Sequence, residues 1–242
     1  MKTAMATTIL LTLVAGSSAW GQQSVAEDLQ AAGITGGLVV HIGCGDGMLT
    51  AELRGGDSYL VQGLDADPKN VEKARAYVRS LGLGGVVSAD LFDGRRLPYA
   101  NNLVNLVVVS DAACQVPDEE FLRVLCPGGQ VVSVDSETGG LKPGSVLSQP
   151  WPEDIDEWTH YLHGPDNNSV AEDTVVGPPR HFQWISGPRF SRSHDHLASV
   201  TTMVSAKGRL FSVIDEGSIA FAGASPRWRL VAQDAFNGIR LW

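Results

Sequence analysis

The chain offers few groupings whose residue types and spacing could do chemistry. The clearest is Gly43-x-Gly45-x-Gly47, which breaks the apolar run Leu38-Val39-Val40-His41-Ile42 and is followed by Met48-Leu49-Thr50-Ala51-Glu52-Leu53. A β-branched run, a tight glycine turn and a resumed apolar pattern read as strand, loop and helix, the place where a parallel α/β sheet holds a nucleotide-like ligand. Met48 stands where a dinucleotide loop needs its last glycine, and no Gly-Lys-Ser/Thr follows, so a phosphate-free ligand is expected. The other groupings are His160-x-x-His163 and His194-Asp195-His196. Two histidines with no third ligand at a recognisable spacing make a poor zinc site, so no metal is expected. The plainer account puts His160 and His163 with Trp158 and Tyr161 in a packed strand, and His194 and His196 in a loop.

The glycine turn needs a sheet beneath it. Apolar runs at Leu38–Ile42, Tyr59–Leu64, Val86–Ala89, Leu103–Val109 and Gln130–Val134 read as strands, with helices between several of them. Such alternation predicts a Rossmann-like, doubly wound, mostly parallel α/β sheet with helices on both faces. The best-marked helix follows the second strand. Asp67 can cap it, Pro68 suits its first turn, Val71, Ala74, Val78 and Leu81 share a face, and Gly82 closes it.

Composition changes after Gly139. Five of six tryptophans and five of six histidines lie beyond Pro150. Residues 139–152 read as a linker rich in glycine, serine and proline. Beyond it, Thr201–Val204, Leu210–Ile214 and Trp228–Ala232 read as antiparallel strands separated by Lys207-Gly208, Glu216-Gly217 and Asn237-Gly238.

Bulk properties narrow the surroundings. The 242 residues carry a net charge of -9, with 10 basic and 16 acidic residues up to Pro150 and 8 and 11 after it. With no basic patch in either half, nucleic acid is not an expected partner. Lys2, the uncharged run Met5–Gly16 and Ala19-Trp20-Gly21 read as a signal peptide over residues 1–21, cleaved before Gln22. That run is shorter than the roughly 20 apolar residues of a membrane span, so no span is expected after cleavage and the mature chain is expected outside the cytoplasm. Cys44, Cys114 and Cys126 form no Cys-x-x-Cys pair and are expected as free thiols.

Four stretches then fall in a familiar order: Val40-His41-Ile42-Gly43-Cys44-Gly45-Asp46-Gly47; Gly63-Leu64-Asp65-Ala66-Asp67-Pro68; Ala89-Asp90 with Leu97-Pro98-Tyr99; and Leu122-Arg123-Val124-Leu125-Cys126-Pro127-Gly128-Gly129. Together, residues 24–138 resemble class I S-adenosylmethionine-dependent methyltransferases. The resemblance implies S-adenosylmethionine as cofactor, held among His41, Gly43, Cys44, Gly45, Asp46, Gly47, Asp65, Ala66, Asp90, Leu91 and Ser110. In it, the three glycines let the backbone approach the methionine part of the cofactor. Asp65, 18 residues past Gly47, accepts from the ribose hydroxyls, a pairing worth roughly 1.5–3 kcal/mol. Asp90 sits by the adenine amino group, with Leu91 or Phe92 against the ring. Asp65 and Asp90 could also merely end strands, and Asp46 either meets the cofactor or holds its own turn.

Two departures stand out. The family often has Phe-Asp-x-Val where this chain has Val104-Asn105-Leu106-Val107, and its closing antiparallel strand pair is not evident after Val134, so a shortened sheet is expected. Ser110-Asp111 would lie near the transferable methyl, where Asp111 is either a base or a helix cap. No motif names the methyl acceptor.

The stretch from Leu230 through Asp234-Ala235-Phe236-Asn237-Gly238 to Leu241-Trp242, with Ser205–Phe211 before it, resembles one blade of a quinoprotein-dehydrogenase-like β-propeller. Residues 153–242 would then be the opening of a propeller cut short, since about four to eight blades are needed to close one. The leading expectation is an exported methyltransferase. Its rival is a binding or scaffold protein that keeps the fold without turnover, because a fold alone does not prove catalysis.

Overall fold

The computed structural model describes residues 25–110, 114–135, 138–142, 146–178, 180–187, 199–220 and 223–242. The expected signal peptide, Asp111 and the His194–His196 cluster lie outside these residues.

The first sheet is built from β1 (Gly37–Ile42), β2 (Tyr59–Asp65), β3 (Val87–Leu91), β4 (Val104–Val109), β5 (Leu125–Ser133) and β6 (Leu147–Ser148). Their order is β3-β2-β1-β4-β5-β6. β1 to β5 pair in parallel, and only β6 is antiparallel. Helices α1 (Val25–Ala31), α2 (Met48–Glu52), α3 (Pro68–Ser80) and α4 (Asp118–Val124) accompany it. All six residues of β1 are buried, as a central strand covered on both faces requires. Its alternate side chains serve different cores: Leu38, Val40 and Ile42 pack with Phe121 and Val124 of α4, while Val39 packs with Leu29 of α1 and Val78 of α3. Among the described residues, the antiparallel strand that follows β5 on that edge is Leu147–Ser148, with a bridge between Val134 and Leu141 beside it. Leu147 and Ser148 belong to the stretch read as a linker; pairing with Gln130 and Val131 makes them part of the sheet.

Helix α3 begins as its sequence dictates. Asp67 accepts from the Lys69 amide as N-cap and Pro68 fills the first turn. Val71, Ala74 and Val78 are buried, but Leu81 is not; it is the C-cap and 49% exposed. The chain turns at Gly82 and places Leu83 against the core instead.

The second sheet is antiparallel throughout: β7 (Val200–Ala206), β8 (Arg209–Asp215) and β9 (Trp228–Asp234). Residues 239–242 fold back beside β9, where Leu241 N donates to Ala232 O at 2.8 Å and Asp234 N to Ile239 O at 2.9 Å. No helix among the described residues is long and apolar enough to cross a membrane.

His160 and His163 do not lie in a packed strand. They face each other across a tight turn in which His163 adopts a positive φ of 70° and Tyr161 is exposed. His163 Nε2 pairs with Asp156 Oδ2 at 2.6 Å, and its ring meets Trp158 edge-on. No group of three metal-ligating side chains occurs among the described residues.

Candidate functional site

The strand order reverses between β1 and β4, and in such sheets ligands bind outside the carboxyl ends of the strands at that point. The glycine turn lies there. Gly43 N and Cys44 N both donate to Leu64 O, at 2.8 and 3.2 Å, which pins the turn to the end of β2. Gly45 and Gly47 have φ of 55° and 85°, a region that disfavours side chains. Their surroundings differ. A Cβ on Gly45 would meet nothing within 4 Å, whereas one on Gly47 would stand 2.7 Å from Ala74 Cα. Gly45 therefore borders open space, and Gly47 lets α3 pack against the turn. Asp46 closes its own turn by accepting from Met48 N at 3.0 Å.

Asp65 is only 9% exposed. Its Oδ2 accepts from Gly45 N at 2.9 Å, and its Oδ1 from Asp67 N at 2.9 Å and Asn70 Nδ2 at 3.2 Å. One carboxylate thus holds the glycine turn and the start of α3 together. Because each oxygen can accept twice, Oδ2 keeps one acceptor position. Cys44 is buried beneath the turn, and burial with the nearby Asp65 pushes its thiol up to about 12, which leaves it protonated and unreactive.

Asp90 is set by a chain of polar contacts along β2 and β3. Arg75 of α3 pairs with Asp90 Oδ1 and donates from Nε to Ala89 O at 2.7 Å. Gln62 Nε2 donates to Asp90 Oδ2 at 2.7 Å, and Tyr99 donates its hydroxyl to Gln62 Oε1 at 2.8 Å. Burial pushes the Tyr99 phenol up, so it acts as a neutral donor. The loop carrying Tyr99 is fixed by Arg123 of α4, which reaches Tyr99 O at 2.8 Å and Leu97 O at 3.0 Å. Leu91 is 59% exposed beside Asp90, while Phe92 is buried in the core.

His41 is buried on β1, with Nδ1 2.8 Å from Thr50 Oγ1 and Nε2 2.7 Å from Ser110 Oγ. Burial lowers its pKa to about 4 against the opposing pull of Asp65. Ser110 is exposed at the end of β4, and Ala66 is exposed at the end of β2. The structure thus gathers Gly45, Asp65, Ala66, Asp90, Leu91 and Ser110 at the carboxyl ends of neighbouring strands. His41, Cys44 and Gly47 lie beneath or behind that surface. Thr50, Gln62, Asn70 and Arg75 complete it without having stood out in the sequence. Gln62 alone had a visible signal, a polar residue inside the apolar run of β2.

The amino ends of the strands carry a different junction. Asn105, the residue where an aspartate is common, donates from Nδ2 to Asp234 Oδ2 at 2.7 Å. Its Oδ1 accepts from Leu38 N at 2.8 Å and from Asn237 Nδ2 at 2.7 Å. The turn after β9 therefore docks on the sheet at the end opposite Gly45. A cavity of about 150 Å³ lies along this junction, lined in part by Asn105, Cys126, Trp151 and Asp234.

With this geometry in hand, comparison with known proteins is informative for the first sheet. Residues 40–133 match the family described as a methyltransferase domain, which implies S-adenosylmethionine as the cofactor. Methyltransferase GfsG of Streptomyces halstedii is 35% identical over 105 residues, which is 41% of this chain and 38% of that protein. Sterol 24-C-methyltransferase of Eremothecium gossypii is 35% identical over 104 residues, 40% of this chain and 28% of that protein. The chain thus spans well under half the length of these curated relatives. A SAM-dependent methyltransferase structure from Aquifex aeolicus aligns over 46% of this chain and 63% of its own, at 23% identity and a TM-score of 0.42.

Proposed function

We propose that the surface around Gly45, Asp65, Asp90 and Ser110 binds S-adenosylmethionine and that the protein transfers its methyl group to an acceptor. The observation that carries this reading is the Gly45–Asp65 contact: a carboxylate holds the glycine turn, keeps one acceptor position, and adjoins space that a side chain at position 45 would begin to fill. Those residues fit a ligand with a diol and no phosphate.

When bound, the cofactor supplies a methyl group on a sulfonium, ready for in-line displacement. Asp65 would accept from the ribose hydroxyls through the position left on Oδ2. Asp90, oriented by Arg75 and Gln62, would accept from the adenine amino group, with Leu91 against the ring. The chain's main contribution is alignment, because fixing two reactants in a reactive geometry lowers the entropic part of the barrier.

The residues after Ser199 support a second element of the proposal. β7, β8, β9 and residues 239–242 form four antiparallel segments closed by the Asp234–Gly238 turn, as one propeller blade would be. We read the expected leader at residues 1–21 as placing the protein outside the cytoplasm, which sequencing the amino terminus of the secreted product tests.

Calorimetric titration of S-adenosylmethionine, and separately its demethylated product, tests the cofactor reading. Micromolar binding, about -8 kcal/mol, is expected for both. A folded sample that binds neither overturns it and leaves the glycine turn as retained architecture.

A further inference from the structure

Thr50, His41 and Ser110 form a polar chain from α2 through β1 to the end of β4, and its two ends differ in exposure. Thr50 is fully buried, and among the described residues its hydroxyl meets only His41 Nδ1. A buried hydroxyl that donates to nothing keeps its whole desolvation penalty, so Thr50 donates to Nδ1. Neutral imidazole carries a single ring proton, which must then sit on Nε2 and point to Ser110 Oγ at 2.7 Å. Ser110 accepts that bond, and its own hydroxyl proton is directed elsewhere. Ser110 is exposed, and its amide donates to Ile42 O at 2.9 Å, immediately before the glycine turn.

We propose that Thr50 and His41 fix Ser110 as a hydrogen-bond donor into the candidate site, so that it binds a ligand group bearing oxygen lone pairs, a carboxylate or a carbonyl. His41 and Thr50 are positioning residues in this account. The same arrangement denies Ser110 a part in carrying protons away from the methyl acceptor, because the ring nitrogen it meets already holds one. Burial strengthens this, since His41 stays neutral down to about pH 4. The identity of the ligand group rests on the proposed cofactor site, whereas the tautomer does not.

Long-range nitrogen–proton correlation spectra of the whole chain, with the His41 ring assigned by comparison with His41→Gln, test the tautomer directly. The expected result is a proton on Nε2 that persists between about pH 5.5 and 8, and loss of that single form in Thr50→Val. A proton on Nδ1 in the unmodified protein overturns the proposal, because Ser110 would then donate to the ring. Calorimetry on Ser110→Ala identifies the oxygen. A loss of about tenfold or more for S-adenosylmethionine, with none for its decarboxylated analogue, assigns it to the cofactor carboxylate. Unchanged binding of both shows that Ser110 donates to no group of the cofactor and overturns its assigned role in binding. Failure of the unmodified protein to bind either overturns the functional reading and leaves the tautomer result standing.

Discussion

Two glycines in one turn serve different physical ends, and substitution separates them. Gly45→Ala places a methyl group in open space, so its folding cost is mainly that of a left-handed non-glycine residue, about 1–2 kcal/mol. That methyl group stands where the proposed ligand would lie, so a loss of binding larger than the stability change is expected. Gly47→Ala adds to the same backbone strain a collision 2.7 Å from Ala74 Cα, where backbone must move. Its expected effect is a loss of about 3 kcal/mol or more, since overpacking adds roughly 1–3 kcal/mol. Thermal unfolding and cofactor titration of both variants check this; equal behaviour would show that the turn does not divide its duties in this way. Asp65 is a poorer probe of binding than the sequence implies. Its carboxylate fixes Gly45, Asp67 and Asn70, so Asp65→Ala would loosen the turn along with any ribose contact.

Among the elements, the docking of the β9 turn on β4 explains an apparent substitution. Asn105 presents an amide proton to Asp234 and a carbonyl to Leu38 and Asn237, a division of roles that a carboxylate cannot copy. Asn105→Asp brings two carboxylates together in a partly buried place, with an expected loss of about 1–3 kcal/mol. Asp234→Asn should recover part of it, and a double-mutant cycle by denaturant unfolding measures the coupling. A loss below about 0.5 kcal/mol would mean that the junction is not formed in solution. The strands and α3 were legible because their signals are local: apolar runs, a capping aspartate, a proline and a closing glycine. Leu81 misled because three-and-four spacing continues past the residue where the helix stops. The ligands of the carboxylates were not legible for the opposite reason. Arg75 is one of several charged residues in α3 with no local signal to set it apart, and only the packing of α3 against β3 brings it to Asp90.

For the molecule as a whole, buried titratable groups set how stability follows pH. His41 remains neutral in the folded protein down to about pH 4, whereas a free imidazole takes up its proton near 6.5. The unfolded state therefore binds more protons between those values, and stability falls as pH drops from about 6.5 towards 4. The change is at most about 3 kcal/mol, and His41→Gln should show a shallower acid slope in melting temperature. An unchanged slope would show that His41 is not buried neutral. Asp234 works in the other direction, since burial lifts its carboxyl above the ordinary range. Its contribution is present at acid pH and declines as pH rises through the raised value. The placement of the two sheets has a further consequence. Gly45 and Asn105 lie at opposite ends of the parallel strands, whose six residues span roughly 20 Å. A product of the proposed methyl transfer, released at the glycine turn, would have to leave that surface and diffuse before it met the β9 docking turn. Joining the two parts in one chain therefore raises the local concentration of one near the other, without handing a molecule directly between them.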